Sequence, residues 1–157
     1  MVLITLLTAC LKSPAVVSSP SAEQWPAWMI LEMEQDESVP TSVSNRLTEV
    51  AQEHNITLQL QPTPSDFELA KHVGSVQSPV LVLESSAEFY AQVNGRFRWE
   101  VDVKIDIFDG TEHISEQLTI PVFHQFHHER QAEALEAALP TLERKLHTLL
   151  NKQLSAQ

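Results

Sequence analysis

The stretch Asn94-Gly95-Arg96-Phe97-Arg98-Trp99-Glu100-Val101-Asp102-Val103-Lys104-Ile105-Asp106-Ile107 decides the fold of this chain. From Arg96 onward every odd position is apolar and every even position is charged. Successive side chains of a strand point to opposite faces, so this alternation predicts a long antiparallel strand with one buried and one wet face. Asn94-Gly95 in front of it is the pair that a tight hairpin turn requires, because both central residues take positive φ. The preceding strand, about Val80–Val93, alternates more weakly, with Leu81, Leu83, Ala87, Phe89, Ala91 and Val93 on one side. After Asp109-Gly110, a second turn signal, Ile114, Leu118, Ile120 and Val122 line one face of a third strand.

Working outward, Ala27–Met33 reads as a first strand, with Trp25 and Trp28 packing over the sheet. Val43, Leu47 and Val50 keep helical spacing over Val43–His54, a helix that Thr41 or Ser42 would cap. Ile56–Gln61 alternates as a second strand. Pro62-Thr63-Pro64-Ser65 ends it, and Ser65 opens a short helix over Asp66–His72. Downstream, Leu135, Leu139, Leu142, Leu146 and Leu149 form an apolar stripe along a helix from His127 to Gln153. The stripe stays in phase across Pro140, which predicts a kink rather than a break. The expected architecture is α+β: a two-layer sandwich, its mixed sheet containing a long antiparallel hairpin and carrying helices on one face.

The chain has 157 residues and a net charge of −11. That length suits one domain with a real core. Ten basic against twenty-one acidic residues leave no cationic face for nucleic acid or for anionic lipid headgroups. Three glycines exclude Gly-rich phosphate loops.

Met1–Cys10 is an apolar run ending in Leu7-Thr8-Ala9-Cys10, with the single cysteine of the chain at its end. The run is too short to span a bilayer and suits the core of a signal peptide whose basic start is missing. Leu7–Cys10 resembles the lipobox of bacterial lipoprotein precursors. The resemblance implies a signal peptide at 1–9, removed in the mature protein, and lipidation of Cys10 with a diacylglyceryl thioether and an N-acyl (palmitate) chain. More than one acyl chain is what stable membrane attachment requires. Residues 11–24 are rich in Ser, Pro and Ala without a period and read as a tether. The expected division is therefore 1–9 signal peptide, 10–24 lipidated cysteine and tether, and 25–157 one α+β domain. Leu11 after the cysteine favours the outer membrane, facing the periplasm. Lys12-Ser13 resembles an inner-membrane retention signal, which keeps that membrane open.

His124, His127 and His128, with Glu129 beside them and His113 across the strand, are the candidate metal ligands. They straddle a strand-to-helix junction and lack the second histidine of HExxH, so a polar helix start is the favoured reading, with no metal and no cofactor. Ser, His and Asp are present without a nucleophile-elbow or SxxK pattern. Asp109-Gly110-Thr111-Glu112 reads as a hairpin turn, and Glu32, Glu34, Asp36 and Glu37 as a solvated acidic loop. The charged row Arg96, Arg98, Glu100, Asp102, Lys104 and Asp106 reads as a solvated face with weak cross-strand pairs, or as a partner surface.

The lipobox Leu7–Cys10, the hairpin Val80–Ile107 turning at Asn94-Gly95, the strand Ile114–Val122 and the helix Glu129–Gln153 together resemble a group of small periplasmic lipoproteins. That group includes the TolB amino-terminal domain, the curli-secretion lipoprotein, penicillin-binding-protein activators and auxiliary lipoproteins of ABC-type transporters. Lipoproteins that assist lipopolysaccharide assembly share a similar ending. The resemblance implies a non-catalytic accessory protein, anchored through Cys10 and docking onto an envelope assembly or transport complex. Two alternatives stand beside it. One is a metal-dependent hydrolase using His124, His127 and His128. The other is a carrier of an apolar ligand, held between the strands and the last helix. The oligomeric state stays open, although long alternating strands could pair at an exposed edge.

Overall fold

The frame is a meander of three long strands, β3 (Val80–Val93), β4 (Arg96–Asp109) and β5 (Glu112–His124). The computed structural model describes residues 22–32, 39–62, 70–71, 79–110, 112–124 and 131–156. Asn94 and Gly95 take φ of 51° and 76° between β3 and β4, as the turn demands. Gly110, at φ 57°, opens the turn into β5. On the other side of β3 lie β1 (Glu23–Glu32) and β2 (Ile56–Leu60), both running parallel to it. The sheet order is β2-β1-β3-β4-β5, a mixed five-stranded sheet. Helices α1 (Thr41–Glu53) and α2 (Gln131–Ala156) complete an α+β two-layer architecture.

The main core lies between sheet and helices. Leu81, Leu83, Val101, Val103, Ile105 and Ile107 meet Leu47 and Val50 of α1 and Leu135, Leu142, Leu146 and Leu150 of α2. The expected stripe along α2 is buried apart from Leu139, which is half-buried, and the helix runs on through Pro140. Residues 127–130, read as its start, lie outside the described residues.

Four expectations need correction. First, β1 begins at Glu23, inside the stretch read as tether, because β2 pairs with Glu23–Ala27 and Trp25 is fully buried in the core. Second, α1 starts at Thr41 behind Pro40, without a side-chain cap: Val43 and Ser44 donate their amides to the Pro40 carbonyl. Neither Thr41 nor Ser42 caps it. Third, the opposite face of the sheet is not uniformly wet. Trp28, Val80 and Val82 form a second buried cluster there with Ile30 and Phe108, so Trp25 and Trp28 serve opposite faces. Fourth, the pairing of β3 with β4 shifts between Phe89 and Ala91. This bulge turns Ala91 and Val93 to the face away from the helices, whereas Phe89 stays on the helix face. The expected helix at Asp66–His72 is helical at residues 70–71 and otherwise lies outside the described residues.

The seam between the helices is polar. Arg46 bonds Glu143 at 2.9 Å, Ser42 donates to Glu136, and His54 Nε2 lies 2.8 Å from His147 Nδ1. Burial, then the neighbouring His147, lowers the His54 pKa below its ordinary value, against the pull of Glu53. Two imidazoles sharing this bond cannot both be protonated without losing it. A group with a depressed folded pKa contributes stability above its unfolded pKa of about 6.5, lost as pH falls through the folded value. Melting temperatures measured from pH 7.5 down to 5 are therefore expected to fall in the wild type. They should fall less in His54→Gln, which keeps a hydrogen-bonding side chain but does not titrate. Equal slopes for the two proteins would remove the pair as the source.

Candidate functional site

The strands of the meander are longer than the helical cover. Val101, Val103, Ile105 and Ile107 are buried, but toward the turn Trp99 and Phe97 are half-buried and Phe89 is exposed. The Phe89 ring lies 6.0 Å from Trp99 and 6.2 Å from Phe97, centroid to centroid, in tilted and edge-on arrangements that aromatic pairs favour. On the opposite face Arg98 sits over the Tyr90 ring, 4.6 Å from its centroid, and is the cross-strand neighbour of Phe123. Tyr90 is 61% exposed, Phe123 50% and Val93 38%. The β3–β4 tip is thus a wedge with aromatic side chains on both faces.

Its charge is also distinctive. Phe89–Arg98 contains two arginines and no acid, within a chain of net charge −11. Arg98 is paired with Glu100, while Arg96 is exposed. Apolar groups clustered at an exposed tip are the usual mark of an interaction surface. The alternation of Phe89, Phe97 and Trp99 pointed to core. What distinguishes them is distance from the helices, which periodicity does not encode.

Toward the β4–β5 turn, the same outer face holds a polar knot. Asp106 is 2% exposed and accepts from Lys104 at 2.8 Å, from His113 Nε2 at 2.9 Å and from Ser115. The His113 ring stacks on Phe108 at 4.3 Å. Burial pushes the Asp106 carboxyl upward, but hydrogen bonds from Lys104, Ser115 and His113 outweigh it and hold the group below the usual carboxylate range. The same bond, partly offset by desolvation, raises the Lys104 pKa. Asp106, read as part of a solvated row, is in fact a buried carboxylate covered by more exposed donors. Asp, His and Ser meet here, yet the carboxylate is the hub and both other groups donate to it. A nucleophilic triad instead places the imidazole between the carboxylate and the hydroxyl. Elsewhere along the row, Thr119 donates to Asp102.

The histidine candidates part company. His113 lies on the outer face of β5, opposite Phe108, whereas His124 lies on the helix face, opposite Phe97. Eleven residues of a period-two strand separate them, so they cannot share a metal ion. His127 and His128 lie outside the described residues, as do Cys10, the tether residues before Ala22, and Glu34, Asp36 and Glu37. Among the described residues no group of three His, Cys, Asp or Glu side chains is placed to hold a metal. Also among them, no helix is long and apolar enough to cross a membrane. The apolar face proposed for a carried ligand is filled where α2 covers it: Leu135, Leu142 and Leu146 are fully buried against the strands.

No protein-family model and no curated protein matches the chain. Several solved structures are similar. A PelC dodecamer from Paraburkholderia phytofirmans aligns at 12% identity and TM-score 0.41, over 83% of this chain and 85% of that one. Rare lipoprotein B from Shewanella oneidensis aligns at 11% identity and TM-score 0.36, over 83% of this chain and 92% of that one. A minor lipoprotein from Acinetobacter baumannii aligns at 13% identity and TM-score 0.33, with the same coverage. Bacterial lipoproteins are thus among the structures to which this chain is similar.

Removing the shared acceptor tests the knot. Asp106→Asn is expected to cost about 1–3 kcal/mol of unfolding free energy at pH 7, because its donors lose a charged partner. The depressed folded pKa makes this contribution present above the ordinary Asp value of about 3.9 and lost as pH falls through the folded value. Urea titrations should therefore show wild type and variant converging below about pH 4. A constant gap down to pH 2.5 would contradict the assignment.

Proposed function

We propose that the chain is a lipid-anchored, non-catalytic accessory protein of the cell envelope that docks onto a partner protein through the β3–β4 tip. The observation that carries this reading is the aromatic wedge at Phe89–Arg98, together with its place relative to the anchor. β1 runs parallel to β3, with Trp28 level with Val82. Glu23 lies five residues before that level and the turn at Asn94 twelve beyond it, one of them taken up by the bulge. At about 3.3 Å per strand residue, the chain enters the sheet roughly 50 Å from the tip. The entry of the chain into the sheet at Glu23 and the aromatic tip therefore lie at opposite ends of the sheet. An anchor ahead of Glu23 would leave the tip at the far end, and the surface that the tip suits is a protein rather than a bilayer.

Two further observations support the reading. The Asp106 knot ties His113 and Ser115 to one carboxylate and leaves no activated nucleophile among them. His113 and His124 stand on opposite faces, so His113 is not a further ligand for a His124 site. The partner surface we infer is apolar with an acidic margin, complementary to Phe89, Tyr90 and Phe123 and to the guanidinium of Arg96. Within this reading Leu11 after Cys10 favours the outer membrane, and Lys12-Ser13 keeps the inner membrane as the alternative.

Site-specific photocrosslinking in the native host tests it. A photoreactive residue at Tyr90 is expected to give a discrete adduct with an envelope protein, and one at Gln52 on exposed α1 should not. Phe89→Ser should abolish the adduct while leaving circular dichroism unchanged. Cys10→Ser should release the chain from the membrane fraction and lose the acyl mass. An adduct-free tip in membranes that retain the folded chain would overturn the docking surface, and a Cys10→Ser chain of unaltered mass and location would overturn the anchor.

A further inference from the structure

The two edges of the sheet are treated very differently. β2, at one edge, is five residues long, whereas β5, at the other, spans thirteen. Among the described residues, β4 is the one strand paired with β5. A long edge strand offers a row of unpaired amides and carbonyls, and native proteins usually blunt it with lysines, inward charges or short length. β5 is long and carries no lysine; the devices it does carry are Pro121 and the inward acids Glu112 and Glu116. Its outer-face row is His113, Ser115, Gln117, Thr119, Pro121 and Phe123, without a carboxylate or an ammonium. Its helix-face row holds two acids, Glu112 at the end and Glu116, which Lys145 neutralises at 3.0 Å.

Pro121 shows which way the backbone points. Proline has no amide hydrogen and is accommodated in a sheet where its nitrogen faces away from the neighbouring strand. Pro121 sits opposite Glu100 of β4, so its nitrogen faces the free edge. Backbone direction alternates along a strand, and the amides of residues 113, 115, 117, 119 and 123 therefore face the same edge.

We infer that the β5 edge is a homodimer interface, and that its occupant is the β5 strand of a second copy of this chain. A two-fold interface must be complementary to itself. With the axis at Gln117, antiparallel pairing sets Ser115 opposite the partner subunit's Thr119 and Ile114 opposite the partner subunit's Ile120. Glu116 meets the partner subunit's Leu118, and Glu112 meets the partner subunit's Val122. No acid faces an acid, and Ile114 and Ile120 form an apolar pair on each side of the axis. Two copies would then share one ten-stranded sheet. This inference rests on the edge alone and is independent of the tip.

Sedimentation equilibrium of the full-length chain tests it, with single-site variants at Gln117. The wild type is expected at the mass of two chains of 17.7 kDa. Gln117→Pro removes an outward amide at a position of the same parity as Pro121, so the monomer tolerates it while the dimer loses two symmetry-related bonds. Its dissociation constant should rise about tenfold or more. Gln117→Lys, which leaves the backbone unchanged, should weaken the dimer by placing like charges across the axis. Circular dichroism should match the wild type for both variants. A single-chain mass for the wild type at about 100 μM, or a dimer that neither substitution weakens, would overturn the inference.

Discussion

The structure depends on one mismatch of lengths. The strands of the β3–β5 meander run thirteen or fourteen residues, and among the described residues α1 and α2 cover the half away from the β3–β4 turn. Where cover exists, Val101, Val103, Ile105 and Ile107 are excluded from water against Leu135, Leu142 and Leu146. Burial of that size supplies the main driving force for folding. Where cover stops, the same alternation continues with Phe97, Trp99 and Phe89, and the apolar row becomes a surface. An overhang of this kind is held rigid by its own cross-strand hydrogen bonds. It therefore presents aromatic groups at low entropic cost on association.

The overhang also separates tasks in space. The chain enters the sheet at Glu23 beside β2, the aromatic tip lies at the far end of β3 and β4, and β5 is the edge strand among the described residues. Near the β4–β5 turn, Asp106 of β4, which Lys104 also contacts, holds β4 to β5 on the outer face through His113 and Ser115. A buried carboxylate satisfied by several donors stabilises one register and resists slippage, because a one-residue shift would strand it. We read this cluster as the register lock of the long β4–β5 ladder.

Much of this was legible in the sequence because strand period and turn chemistry are local signals. Arg96–Ile107 and Asn94-Gly95 specified the hairpin, and Leu135–Leu149 specified the covering helix. The bulge at Tyr90 was not legible, since Phe89, Tyr90 and Ala91 carry no glycine or proline to mark it; the alternation simply placed Ala91 and Val93 on the wrong face. Pro26 hid the start of β1, although Trp25 beside it is fully buried. Asp106 looked like one more charge on a wet row, because its donors His113 and Ser115 come from the next strand. The tip was missed for the opposite reason: its aromatics satisfied the core pattern too well. The acid-free span Phe89–Arg98 in an acidic chain was the signal that could have found it.

Hydrogen–deuterium exchange, compared between native membranes and detergent-solubilised chain, tests the central claim most directly. The account predicts that residues 89–98 gain protection in membranes, while α1 and the covered half of β4 exchange alike in both. An unprotected tip, or protection confined to the helices, would contradict it.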